Sequence, residues 1–104
     1  MECYEVFISE NAQNDLRDIA RYISAQLSAL TTAIRMVESI EKAIDRLSEM
    51  PKSYPPVIDD RLFGMGYRKL IVKNYIVFFI INEKDRAVDV DRILYGRRDW
   101  RSIL

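Results

Sequence analysis

The sequence predicts an α+β domain: an N-terminal strand, an αα-hairpin, then a three-stranded antiparallel meander and a short C-terminal helix or tail. Three observations predict it. The stretch Tyr75 to Asn82, YIVFFIIN, has seven apolar residues of eight, with β-branched and aromatic types dominant. Such a short run suits a strand buried on both faces rather than a helix. Two long stretches before it carry apolar residues at helical spacing. Two further strand-like runs, Tyr67 to Val72 and Ala87 to Tyr95, flank it across the turn-like pieces Lys73-Asn74 and Glu83 to Arg86. The hairpin's apolar stripes need a surface to cover, and the sheet supplies one.

In chain order, Tyr4 to Ile8 alternates, with Tyr4, Val6 and Ile8 on one face and Glu5 and Phe7 on the other. This first strand should join the meander. Ser9 is placed to cap a helix, with Glu10 in its first turn. Ala12, Leu16, Ile19, Ala20, Ile23 and Leu27 form one stripe; Gln13, Asp15, Arg17, Asp18 and Arg21 fall mostly outside it. Asp18 and Arg21 are three apart and pair weakly. The stripe is interrupted around Ser28 to Thr32, where Thr31 or Thr32 can cap a second helix. Ala33, Met36, Val37, Ile40, Ala43, Ile44, Leu47 and Met50 continue the pattern until Pro51 stops it. Residues 51–66 hold three prolines and two glycines and read as a covering loop held by Tyr54 and Phe63, long enough to carry a role of its own. In the last strand Val88 and Val90 share one face and Ile93 and Tyr95 the other. The alternation slips at Asp91-Arg92, as a β-bulge would make it do. Gly96 ends the strand, and Trp100, Ile103 and Leu104 anchor the tail.

The 104 residues make one domain, 1–104, with 49% hydrophobic and 31% charged residues, ordinary for a soluble protein. No run approaches a membrane span, and Glu2 and Glu5 stand where a signal peptide would be basic. The single cysteine, Cys3, fits a reducing compartment, the cytoplasm. With no histidine and one cysteine, His-based nucleophile pairs and His or thiolate metal sites fall away, so no metal or cofactor is expected. The net charge is zero but uneven. Residues 1–60 carry 6 basic and 11 acidic side chains, a net charge of −5; residues 61–104 carry 10 and 5, a net charge of +5. A basic meander and tail suit a polyanion or an acidic protein partner, or attract the acidic half of the same chain.

Carboxylates, Lys, Arg, Tyr and hydroxyls must therefore carry any chemistry. Near the meander lie Arg68, Lys69, Lys73, Arg92, Arg97, Arg98 and Arg101. Guanidinium groups grip phosphates and carboxylates. Such a cluster can hold RNA, or stabilise charge on a phosphate attacked by an RNA 2′-hydroxyl. Each exposed arginine can equally be a solvated charge. Arg92 lies inside a strand and divides between an ion pair with Asp89, Asp91 or Asp99 and a place in a site. Asp99 is positioned to cap the terminal helix. Trp100 is a core or interface anchor, and Tyr95 a possible proton donor or stacking surface.

The strings Tyr67-Arg68-Lys69-Leu70, Asn74 to Phe79 and Val90-Asp91-Arg92-Ile93-Leu94-Tyr95-Gly96-Arg97-Arg98-Asp99, in that order, resemble the RelE/ParE superfamily of bacterial type II toxins, closer to the ParE-like pattern. The opening, with its strand, Ser9 and Asn11 to Leu16, also resembles the family's start. The resemblance implies a twisted antiparallel sheet with an αα-hairpin on one face, and a toxin encoded beside an antitoxin that blocks it. It also implies one of two targets: DNA gyrase for ParE-like members, bound without catalysis, or the ribosome and its mRNA for RelE-like endonucleases. The chain departs from the nuclease pattern at three places. Ile76 stands where those members have an arginine, Leu70 replaces one of a basic pair whose other member is Arg68, and Leu104 falls at the catalytic tyrosine; Arg98 matches. The expectation is gyrase binding through Arg97, Arg98, Asp99, Trp100 and Arg101. The alternative is an mRNA endonuclease in which Arg68, Lys69, Arg92 and Arg98 hold phosphate and Tyr95 serves as acid.

Overall fold

The computed structural model describes residues 3–27, 29–59 and 64–104; Ser28 and Phe63, and the side chain of Leu27, lie outside that description. Strand β1 (Glu5–Ile8) leads into α1 (Glu10–Leu27) and α2 (Leu30–Asp45), and β2 (Tyr67–Val72), β3 (Tyr75–Asn82) and β4 (Ala87–Tyr95) follow. A terminal 3-10 turn, Trp100–Ser102, ends the chain. The four strands form one sheet in the order β1-β4-β3-β2. The meander is antiparallel, and β1 pairs with β4 in parallel, so the hairpin is the crossover between the two edges. The three meander strands fall where the sequence puts them, and Tyr4, Val6 and Ile8 turn into the core while Glu5 and Phe7 are exposed.

Both sheet faces are covered, which explains the unbroken apolar run of β3. Val77 and Phe79 join Ala12, Ile19, Ile23, Ile40 and Ile44 in a core under the helices. Phe78 joins Val57, Tyr67 and Leu94 on the other face, where Ile76, Ile80, Trp100, Ile103 and Leu104 pack. The C-terminal turn thus acts as a second layer. The outer edge of β2 is shielded by residues 55–57. Val57 N–H donates to the Tyr67 carbonyl at 2.9 Å and Lys69 N–H to the Pro55 carbonyl at 3.1 Å. Tyr54 holds this segment edge-on to Phe79, with ring centroids 6.2 Å apart.

The bulge is present. Phe78 pairs with Arg92 but Phe79 pairs with Val90, leaving Asp91 as the extra residue. It brings Ile93 back into the core of Val88 and Val90, where strict alternation would have put it opposite. Side chains from other elements take up several of the groups at the bulge. Ser9 Oγ donates to the Asp91 carbonyl at 2.7 Å while accepting Ala12 N–H at 3.0 Å, so the cap of α1 is also a tie to β4. Tyr67 Oη donates to the Asp91 carboxylate at 2.6 Å.

Arg92 pairs with none of the aspartates near it in sequence. Its Nε and Nη2 donate to the two carboxylate oxygens of Asp15, each at 2.8 Å. Such a two-pronged, charge-assisted grip is among the stronger side-chain contacts. Ile93 N–H donates to Asp15 Oδ2 at 2.9 Å. Asp15 is buried, three residues after Ala12 and four before Ile19, so it lies inside the apolar stripe rather than beside it. The carboxylate raises the Arg92 guanidinium further above its ordinary value, chiefly through these hydrogen bonds.

Three helix details differ from expectation. Helix α2 starts at Leu30 with Ala29 at its N-cap, and Thr31 and Thr32 sit exposed in its first turn. It ends at Asp45, tightening into a 3-10 turn, Arg46–Ser48, well before Pro51. That turn still delivers Leu47 to the core, and Met50 is left exposed at φ 52°. Asp18 and Arg21 pair at 3.7 Å. The pair is on an exposed surface, where it is worth little.

Asp15→Ala strands Arg92 and the Ile93 N–H together. Urea denaturation should show a loss of about 2–4 kcal/mol, the range for breaking a largely buried pair. Ser9→Ala should cost about 1 kcal/mol.

Candidate functional site

The sheet's two ends differ. At the end holding the β3–β4 turn, Tyr4 Oη donates to Glu83 at 2.8 Å. Lys52 Nζ lies 3.1 Å from the same carboxylate. The Arg86 guanidinium sits 5.0 Å above the Tyr4 ring, a cation–π contact. The Tyr4 hydroxyl, more than Lys52 or Arg86, holds the Glu83 carboxyl below its ordinary value. Glu83, Lys52 and Arg86 at this end are thus engaged with one another or with Tyr4.

The opposite end carries the β2–β3 turn and the close of β4. Lys73 takes φ 54°. This left-handed conformation costs a side-chain-bearing residue about 1 kcal/mol or more. Gly96 N–H donates to the Asn74 carbonyl at 2.8 Å, and a Cβ on Gly96 would meet that oxygen at 3.2 Å. Glycine therefore lets the last residues of β4 draw against the turn, which sets Arg97 beside Lys73.

Two depressions flank the ring pair Tyr75–Tyr95, whose centroids are 5.8 Å apart. The larger, of about 640 Å³, opens between the hairpin and the sheet. Its apolar floor is Ile19, Ile23, Met36 and Ile93. Its exposed rim carries Asp18, Tyr22 and Thr32 from the helices and Asn74, Tyr95 and Arg98 from the sheet side. The smaller, of about 240 Å³, is lined by Ile71, Lys73 and Arg97 on its own side of Tyr95. An apolar floor with a few polar groups at the mouth is the usual form of a binding site. Tyr75 is buried beside the cleft; burial first, and the neighbouring Tyr95 and Tyr22 after it, push its phenol above the ordinary value.

The residues singled out in the sequence divide. Arg98 and Tyr95 line the larger cleft, and Arg97 lines the smaller. Arg92 is bound to Asp15. Arg68 Nη1 donates to the Tyr54 carbonyl at 2.7 Å and to the Lys52 carbonyl at 3.3 Å, clamping the covering loop. Lys69, half-buried, and Arg92 both pair with Phe78, one from each neighbouring strand, and Lys69 borders neither depression. Trp100 packs on Phe78, with centroids 5.3 Å apart. Arg101 lies 4.4 Å over the Trp100 ring and donates to Asp59 at 2.9 Å. Asp99 stands at the N-cap of the last turn, but its carbonyl, not its carboxylate, accepts Ser102 Oγ at 2.9 Å. Tyr22 was not singled out by sequence; its position, three residues after Ile19 and next to Ile23, marks an aromatic at the border of the stripe. Among the described residues no cluster of His, Cys, Asp and Glu could hold a metal ion, and no helix is long and apolar enough to cross a membrane.

Residues 6–100 match the family described as the ParE toxin of the type II toxin–antitoxin system parDE. Solved structures share the fold. One is a chromosomal ParDE toxin–antitoxin system of P. aeruginosa, at 14% identity and TM-score 0.75, covering 91% of this chain and 98% of that one. Another is the RelBE2 toxin–antitoxin complex of Mycobacterium tuberculosis, at 19% identity and TM-score 0.60, covering 89% and 98%. The isolated E. coli RelE toxin follows at 16% identity and TM-score 0.50, covering 97% and 99%. No curated protein sequence matches the chain.

Because its folded-state pKa is raised, Tyr75 leaves stability intact below its ordinary value of 10.0 and removes it as pH rises through the folded value. Denaturation followed across that range should show a shallower decline in Tyr75→Phe than in the wild type. The family match spans nearly all of the sheet and hairpin that build this cleft, and the chain belongs to the ParE toxin family of type II toxin–antitoxin systems.

Proposed function

We propose that the chain arrests growth by binding a target protein, DNA gyrase, without catalysis of its own, and that a cognate antitoxin made beside it in the cytoplasm blocks it. The observation that carries this reading is the use of the cations. A nuclease built on this scaffold would turn Arg92 and Arg68 toward a phosphate; here Arg92 is bound to Asp15 and Arg68 to two loop carbonyls. Freeing Arg92 would leave a buried carboxylate unpaired, which is costly. The tail adds support: Leu104 packs against the outer sheet core and offers no proton. The family match favours the same reading. So does the cleft, whose apolar floor suits a protein side chain.

The runner-up is a ribosome-dependent mRNA endonuclease, favoured by one observation: Arg98 and Tyr95 border the same cleft. There Arg98 would hold phosphate and Tyr95 would donate the proton, from a phenol whose ordinary pKa is far above neutral, while Lys69 lies outside that cleft.

A pulse of expression without antitoxin separates the two. DNA and protein synthesis are followed independently in the first minutes. The expected result is early arrest of replication with DNA-damage signalling while translation continues. Early translational arrest with site-specific mRNA cuts would establish the endonuclease instead.

A further inference from the structure

We infer that the target protein docks on the end of the sheet formed by Tyr22, Ile71, Lys73, Tyr95, Arg97 and Arg98, seating there an acidic segment that carries an apolar or aromatic anchor. This rests on the reading that the chain acts by binding a protein, and it moves the contact surface away from Trp100 and Arg101, whose side chains serve the outer core.

Four observations converge on this end. Large apolar side chains are exposed there: Tyr22 at 63%, Ile71 at 62% and Tyr95 at 40%. They border two adjoining depressions, so one partner can reach both. Three cations, Lys73, Arg97 and Arg98, stand exposed around them, and among the described residues none has an ion-pair partner. At the opposite end Lys52 and Arg86 gather on Glu83 and Tyr4, leaving Lys84 as an exposed cation of that turn. Finally, a lysine holds the left-handed position of the β2–β3 turn, where glycine, asparagine or aspartate would sit with less strain. Arg86 takes the same conformation, φ 51°, in the turn at the opposite end, but its guanidinium lies over the Tyr4 ring; Lys73 keeps the strained position with its side chain at the edge of a depression.

The charge decides the occupant. Arg98 at the mouth of the larger depression, with Lys73 and Arg97 at the adjoining smaller one, complements carboxylates flanking an aliphatic or aromatic side chain that enters the apolar floor. A second copy of this chain docking through the same end would bring the same positive charge to the contact. A nucleic acid would meet the cations but leave the apolar floor empty.

The test uses purified full-length toxin against immobilised gyrase. Two variants are compared with wild type, Arg98→Glu and Lys73→Gly, each checked for fold by circular dichroism and melting and for co-purification with the cognate antitoxin. The expected result is about tenfold or greater weakening for R98E. For K73G, binding should weaken several-fold while the melting temperature holds or rises, a combination that a purely structural lysine would not give. Wild-type binding to gyrase with both variants equally tight would overturn the placement and leave the protein-target reading intact. Failure of wild type to bind gyrase would remove that reading and the docking site with it. Two further results would also overturn the inference: an R98E loss confined to DNA binding, or a wild-type dimer in light scattering that R98E dissolves.

Discussion

The pairing of Asp15 with Arg92 and the Ile93 amide joins the helical hairpin to the sheet at the point where the sheet is irregular. A bulge in β4 is needed because Val88, Val90 and Ile93 must all reach the core under the helices, and a regular strand cannot present three residues spaced two and then three apart on one face. The bulge has a cost: it disturbs the ladder next to an apolar core, where unpaired polar groups are expensive. The first helix offsets it. Ser9, the cap of α1, takes the Asp91 carbonyl, and Asp15, inside α1, takes the Ile93 amide and the Arg92 side chain, where the helix packs across β4. Tyr67 completes the set from β2. The start of α1, the bulge and the register of β4 are therefore one unit.

Six cations of the basic half fall into two groups by what they hold. Arg92, Arg68 and Arg101 hold elements together: the first to a helix, the second to the covering loop, the third to Trp100 and Asp59. Lys73, Arg97 and Arg98 hold nothing internal and gather at one end of the sheet. Residue type and position in the string do not separate these groups, since Arg97, Arg98 and Arg101 lie within five residues of one another. Their neighbours in space do.

The same distinction accounts for what is legible in the sequence. The meander was legible because its strands are bounded by two short polar turns and its central run is apolar throughout. The slip at Asp91-Arg92 showed as a break in alternation, a local signal. The partner of Arg92 did not show, because it lies 77 residues away in the chain. A signal was nevertheless present: Asp15 sits at helical spacing from Ala12 and Ile19, and a carboxylate on an apolar stripe asks for a cation. Helix ends were the weakest reading. Thr31 and Thr32 are good caps, yet α2 begins at Leu30, and the chain leaves the α-helix at Asp45 although its apolar spacing continues to Leu47 and Met50. Packing on the sheet, rather than local preference, set those boundaries. Of the site, Tyr95, Arg97 and Arg98 were visible as a basic, aromatic strand end. Tyr22 joins them only through the fold.

If Arg92 serves the fold and the far end of the sheet serves the target, the ion pair can be replaced without loss of toxicity. Asp15→Asn with Arg92→Gln keeps an acceptor for the Ile93 amide and removes both charges together, so that neither partner is left as an unpaired buried charge. The measurement is growth arrest on expression of this double variant without antitoxin, with folding verified by circular dichroism and antitoxin binding. A folded variant that arrests growth and replication as wild type does is the result this account predicts. A folded, antitoxin-binding variant that is harmless would place Arg92 in the toxic chemistry and contradict it.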